Sequence, residues 1–497
     1  MIKPEGMNGI TKNKTGIVFF SIAVILLLRL VFIGLMGLMP QDAYYDFYGE
    51  HLALSYYDHP PAIGYVLRLF TEIFGKKVFV LKLADSVICF LTILFFYRLS
   101  LSFVSKHRAQ RAIAIFFSTL MVTILSLIST PDVPLLLFWT VSLISLHRAI
   151  FLEKKIYWIW SGIFIGLSFD SKYTGIFLLA GLVLFLLLSA KYRSLLFSRW
   201  FLLCLLFFLM TISPVIIWNV QNDFASFRFQ SAARVQSMDG FHIDLLNFAG
   251  ALGHQTAVLM PILFFAFIYF LFKVLKKYRF RFFDIAPDKL FLLCFFIPVF
   301  VGFFLLSFLY WVKLNWMMPS YISGIIWISL YLGKKWINAQ LLCSLIVHLV
   351  LAIEVLFYPV AIKSDDTWVG WEELAKQVKS IQSNYPGAFI FSADDYKTSA
   401  VLNFYLDEMV YSRNIIGERA LQFDFIGSDL NILSGKNALF IDSDPRFSHE
   451  KGDGLPHALS GYFDSVTPID PILITRTGGR IVRKFSVYLC TNYHPQK

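Results

Sequence analysis

The stretch Gln41–Pro61, QDAYYDFYGEHLALSYYDHPP, sets Asp42, Asp46, Glu50, Asp58 and His59 among six aromatic residues and a Pro-Pro pair. Asp42 stands just after Pro40, at the mouth of the first long apolar run. A carboxylate there can serve as general base towards an acceptor hydroxyl. It can equally cap a helix, for which Asp is a preferred residue. In Asp58-His59-Pro60-Pro61 the prolines hold the backbone, so the carboxylate and imidazole before them point in defined directions. Such a pair suits a divalent metal, with Asp58 as ligand, or a phosphate beside His59; it also fits a plain rigid turn.

Other polar residues stand at the ends of apolar runs further along. Lys172 lies in DSKYTG and offers a compact positive charge for a phosphate; Asp170, two residues earlier, is its ordinary partner. Lys313 and Asn315 lie in YWVKLNW, among aromatics of the kind that line a membrane interface. There Lys313 can bind phosphate or simply snorkel. Arg228 and Arg234, in FASFRFQSAARVQ, can clamp a phosphate bidentately or belong to a solvated loop. Thr130-Pro131-Asp132 reads as a helix cap. Arg29 and Asp85 lie within apolar runs, where charges normally face the interior and pair, so they can pair structurally.

The elements that position these residues are membrane spans. Of 497 residues, 57% are hydrophobic and 15% charged, against about 25% charged in soluble proteins. Runs at 17–40, 78–99, 112–129, 132–149, 156–169, 174–190, 200–218, 247–272, 289–311, 317–333 and 337–359 are span candidates. The first, preceded by Lys3, Lys12 and Lys14, reads as an uncleaved signal anchor. With the N-terminus inside, inside segments carry twenty Lys and Arg against seven in outside loops before the tail. That bias is the positive-inside pattern. It accounts for the net charge of +11 without nucleic acid: residues 360–497 carry 14 basic against 17 acidic side chains.

Within the first loop, Asp42 to Leu54 and Ala62 to Phe74 have helical spacing, the second amphipathic. The tail, 360–497, reads as a small α/β domain. It has helices at Trp371 to Ile381 and Lys397 to Leu406, and strands at Ala388 to Phe391 and Ala438 to Ile441. Strands at Ile472 to Thr475 and Ile481 to Leu489 flank Gly478-Gly479, a hairpin signal. Of five cysteines only Cys490 is in the tail, so the tail can form no internal disulfide.

As a set, the acid after the first span, SYYDHPPAIGY, TPD, SKY and K-x-N-W resemble motifs of the GT-C glycosyltransferases. The nearer resemblance is to family 39, of the protein-mannosyltransferase and lipid A aminoarabinose-transferase type. It covers about residues 15–320. It implies an all-α polytopic membrane domain (1–359, about eleven transmembrane helices) with a small C-terminal α/β periplasmic domain (360–497). It implies a polyprenyl-phosphate sugar donor, undecaprenyl phosphate in a bacterial inner membrane, and transfer on the periplasmic face. Asp42 matches the family's first-loop acid, and Asp58 and His59 match a pair that contacts metal or donor phosphate. His59 stands where relatives often carry Lys, so its charge changes with pH near neutrality. Ala43 stands where many relatives have a second acid. Lys172 and Lys313 match donor-phosphate positions, and Arg234 joins them as a candidate cation. Tyr45 and Asn315 are the expected substrate contacts. The expected activity is sugar transfer to an envelope acceptor such as lipid A. The alternatives are a protein O-glycosyltransferase, a lipid-linked sugar flippase without chemistry, and an interaction protein whose tail binds partners.

Overall fold

The computed structural model describes residues 27–233, 243–279, 281–447 and 459–495. The opening of the first expected span and Arg234 lie outside the described residues. The described helix α1 covers 27–35. It is followed by α2 (Pro40–Glu50), α3 (Ala62–Phe74), α4 (Val78–Phe103), α5 (Lys106–Phe117), α6 (Leu120–Leu127), α7 (Asp132–Ile150), α8 (Tyr157–Ser171), α9 (Ile176–Leu188) and α10 (Arg199–Gln221). Among the described residues, five helices are long and apolar enough to cross a membrane: α4, α7, α10, Pro287–Leu306 and Lys334–Phe357. Counting two bent helix pairs as one span each brings the number to seven.

The count falls short of eleven partly because expected spans are broken. Helices α5 and α6 meet at 61°, where the Ser118 and Thr119 hydroxyls donate to the carbonyls of Ile115 (2.6 Å) and Phe116 (2.7 Å). Side-chain hydroxyls bonding back to the helix compete with its ladder and bend it. The expected span 247–272 is two helices, Leu245–Leu259 and Pro261–Tyr278, set at 112°. Pro261 lacks the N–H that would continue the first helix, and Met260 takes φ +65°. Gln340 bridges both breaks and satisfies backbone groups at the second. Its amide donates to the Leu259 carbonyl (2.8 Å) and the Ser118 hydroxyl (3.0 Å), and its oxygen accepts from the Leu263 N–H (3.1 Å). Backbone groups freed at membrane depth need such partners. Three more expected spans are the short helices α8, α9 and Met318–Ile328.

The loop helices α2 and α3 cross at Gly49 and Gly64. A methyl group on Gly49 would stand 2.9 Å from the Gly64 carbonyl oxygen, so the contact admits no side chain. After the helix Lys334–Phe357 comes a four-stranded sheet of β1 (Phe389–Phe391), β2 (Ala438–Ser443), β3 (Phe463–Arg476) and β4 (Arg480–Tyr493), in the order β1-β2-β4-β3. Strands β1 and β2 are parallel, joined through the helix Lys397–Leu406, and β3 and β4 form the expected hairpin. The helix Trp371–Gln382 also forms as expected. Arg480, at the hairpin turn, donates to the carbonyls of Tyr358 and Pro359 (2.9 Å each), tying the sheet to the end of the last long helix.

Candidate active site

The site forms where α2, the Ser129–Asp132 turn, the α8–α9 junction and the Lys313–Trp316 turn meet, with Tyr396 of the C-terminal part beside them. Together they enclose a cavity of about 440 Å³. Five of the residues singled out above line it: Tyr45, His59, Lys172, Lys313 and Asn315. They come from three stretches far apart in the chain, so the fold does bring them together.

The strongest ionic feature is at Lys172. The helix α8 ends one residue earlier, and Lys172 leaves it in an extended conformation. Its Nζ donates to both oxygens of Asp132, at 2.9 Å each, and the Asn315 amide donates to the same carboxylate. Both charged groups are buried. Asp132 opens α7 but makes no side-chain cap bond there. The capping reading is therefore corrected: Asp132 holds Lys172, and Asp170 does not. The signal available in the sequence was two charged residues at apolar-run ends, but their separation of forty positions hides the pairing.

Asp58 stands behind the cavity wall. Its Oδ1 accepts from the Tyr44 hydroxyl at 2.8 Å and from the Tyr48 hydroxyl. Burial pushes its carboxyl above the usual range; the two phenols and the Lys313 charge pull the other way. Burial likewise raises Tyr44, Tyr45 and Tyr48 well above the ordinary phenol value. Among the described residues no three His, Cys, Asp or Glu side chains converge. His59 lines the cavity, with its ring 6.1 Å from that of Tyr45.

Asp42 does not line the cavity. It is fully buried. Its Oδ2 accepts from Lys82 Nζ (2.8 Å) and the Met39 N–H (3.0 Å), and its Oδ1 accepts from the Ser129 N–H (2.8 Å). The bond to Met39 is the capping contact; the bond to Lys82 is an ion pair with no exposed atom. Both oxygens are thus engaged, and a base role for Asp42 requires Lys82 or Ser129 to let go. Instead Asp42 anchors Ser129, next to the cavity-lining Thr130 and Pro131. Asp85 accepts from the Ser129 hydroxyl at 2.6 Å. Arg29 donates to the Val122 carbonyl and to the Thr123 and Ser126 hydroxyls. The expected pairing of Arg29 with Asp85 is therefore corrected, since each finds hydroxyl partners nearer by.

Asp46 is buried on α2, and burial together with the Glu50 charge raises its carboxyl to about 7. Glu50 pairs with Lys76 at 2.5 Å. Sequence reasoning missed Gln41, Gln230 and Tyr396, which line the cavity, and Lys82. Gln230 lies in the loop where Arg228 was noted, and its amide donates to the Asp58 carbonyl at 2.5 Å. Lys82 was legible as a lysine four residues into an apolar run, a position that costs energy unless paired.

Residues 58–218 match the model of the dolichyl-phosphate-mannose-protein mannosyltransferase family. The lipid A galacturonosyltransferase RgtD of Rhizobium johnstonii is 25% identical over 302 residues, 59% of this chain and 60% of that protein. The chain thus spans under two thirds of that relative's length. Among solved structures, ArnT from Cupriavidus metallidurans bound to undecaprenyl phosphate superposes with a TM-score of 0.64 at 15% identity. That match covers 95% of this chain and 98% of ArnT. The archaeal oligosaccharyltransferase AglB from Archaeoglobus fulgidus, in complex with an inhibitory peptide and a dolichol-phosphate, gives 0.50 at 12% identity. It covers 96% of this chain and 74% of AglB. At these identities the structural likeness is one of fold.

Proposed function

We infer that this chain, a GT-C glycosyltransferase of the protein-mannosyltransferase and ArnT kind, moves a sugar from a polyprenyl-phosphate donor to an envelope lipid such as lipid A. The observation that carries the reading is the convergence of Lys172, Lys313 and His59 on one cavity, with the aromatic side chains of Phe177, Phe303 and Trp316 on its wall. A lipid-phosphate leaving group needs cations where charge develops and an apolar flank for its chain.

In this mechanism Lys172, aimed by Asp132 and Asn315, and Lys313 stabilise the departing phosphate. The Lys172–Asp132 pair fixes the ammonium in place before the donor arrives, so little reorganisation accompanies the reaction. His59 is the cavity-lining group able to take the acceptor proton in its neutral form. Asp58, Tyr44 and Tyr48 hold the turn that presents His59. Asp42 and Lys82 hold the Ser129–Asp132 turn. The charge bias of the loops supports a cavity and C-terminal sheet outside the inner membrane, with the N-terminus inside.

The finer reading of donor and acceptor draws on the relatives: undecaprenyl phosphate from ArnT and lipid A from the galacturonosyltransferase. Besides the Lys172 ammonium held by Asp132, Lys313 and His59 bring positive or protonatable groups to the cavity wall. They favour a neutral or acidic sugar over an amino sugar. The test is mass spectrometry of envelope lipids from cells with and without the gene, paired with transfer in proteoliposomes. Loss of one sugar increment from lipid A supports the reading. Unchanged lipids together with a sugar lost from protein would shift the acceptor to protein. No transfer in either assay would overturn the reading.

A further inference from the structure

The cavity is not closed by membrane helices alone. One wall is Tyr396, contributed by the C-terminal α/β part. Tyr396 sits on the turn between β1 and the helix Lys397–Leu406, and that turn is held on both sides. The Asp394 carboxylate accepts from the Thr398 N–H (3.1 Å), the Thr398 hydroxyl (2.6 Å) and the Ser392 hydroxyl (3.0 Å). Asp395 takes φ +67°; its carbonyl accepts from the Ser412 hydroxyl (2.5 Å) and its carboxylate pairs with Arg413. A non-glycine residue held in the left-handed region persists where its surroundings over-determine it, and such residues cluster at functional sites.

The turn is also bolted to the first loop. The Tyr396 ring lies 4.3 Å from that of Tyr44 at an interplanar angle of 34°. Asp366 accepts from the Gln41 amide (2.9 Å) and pairs with Lys397 (3.3 Å). Gln422 accepts from the Tyr57 N–H at 2.7 Å, and Phe423 stacks on Phe47 with centroids 4.7 Å apart. Tyr396 is therefore a rigid ring presented to the cavity, which Gln41 and Gln230 also line.

We propose that Tyr396 is a sugar-binding residue that sets donor specificity, so that the C-terminal α/β part completes the sugar subsite. A flat ring with flanking amides matches a pyranose, which carries an apolar C–H face and a rim of hydroxyls. On this reading the aromatics Phe177, Phe303 and Trp316 and the Lys172 ammonium serve the polyprenyl chain and phosphate, and Tyr396 serves the sugar. This rests on the glycosyltransferase reading above.

The test uses the full chain in proteoliposomes, with undecaprenyl-phosphate sugar as donor and bare undecaprenyl phosphate as competing product. Tyr396→Ala is expected to raise the donor KM about 2- to 13-fold, the worth of one aromatic contact, and to leave inhibition by the bare carrier unchanged. Tyr396→Phe keeps the ring and should keep the KM. An unchanged KM in Tyr396→Ala would overturn the proposal. So would an equal weakening of bare-carrier inhibition, since that marks a merely structural residue. If Tyr396→Ala unfolds, Tyr396→Leu is read against Tyr396→Phe on the same two quantities. Absence of transfer by the wild-type chain would instead sink the glycosyltransferase reading itself.

Discussion

Lys172 and Asp132 allow two parts of the site to be separated experimentally. Lys172→Met removes a phosphate ligand and at the same time leaves the Asp132 carboxylate buried without its ion pair. Breaking a buried pair from one side costs about 3–5 kcal/mol, so the single variant should unfold at markedly lower temperature. Lys172→Met combined with Asp132→Asn removes the stranded charge, and the Asn315 amide keeps an oxygen to donate to. Most of the lost stability should return. Activity should not, because a charge-assisted hydrogen bond to the phosphate is worth about 1.5–3 kcal/mol, or about 10- to 150-fold in kcat/KM. The assay is thermal unfolding of the purified variants beside sugar transfer in proteoliposomes. A double variant that is stable and transfers sugar at the wild-type rate would refute the reasoning. Lys172 would then be only the counter-ion of Asp132.

The pair Asp42 and Lys82 predicts the opposite pattern. Asp42→Asn alone should destabilise by about 3–5 kcal/mol by stranding the Lys82 ammonium. Asp42→Asn with Lys82→Met should recover both stability and transfer, since the Asn oxygen can still accept from Ser129; a stable but inactive double variant would return the base role to Asp42. Asp46 gives a pH prediction. Its carboxyl is raised from 3.8 to about 7 in the fold, so the protonated form is favoured and its contribution is full below about pH 4. That contribution fades as pH rises through 7. Between pH 6 and 8 the loss is about 1.4 kcal/mol. Asp46→Asn should flatten the dependence of unfolding temperature on pH over that interval. An equal slope in wild type and variant would assign the dependence to another group.

Local signals carried far in this chain. The helix expected at Lys397 to Leu406 forms over those residues, and α3 forms over Ala62–Phe74. The strands around Gly478-Gly479 pair as the hairpin, with β3 starting at Phe463, upstream of the expected Ile472. Such elements follow from periodicity and turn residues within a few positions of one another. Where long-range bonding decides, the signal weakened. The break at Met260-Pro261 is marked by the proline, but its 112° angle depends on Gln340, far along the chain, to satisfy the opened ends.

The same division runs through the site. The sequence by itself determined that this is a multi-pass membrane chain, since hydropathy and charge are local. It also determined that polar residues of phosphate-binding and acid-base type collect at the ends of apolar runs. Tertiary structure alone decided their partners. Lys172 belongs to Asp132, Asp42 is enclosed by Lys82 and Ser129, and Asp58 by two tyrosines. A charge in a low-dielectric setting must be neutralised, so the sequence shows that a partner is required. Which of the distant candidates reaches it is set by how the helices cross, and no spacing along the chain records that. Tyr396, 350 or so positions from the first loop, is a cavity wall for the same reason: the α/β part docks on α2 through contacts that exist only once both have folded.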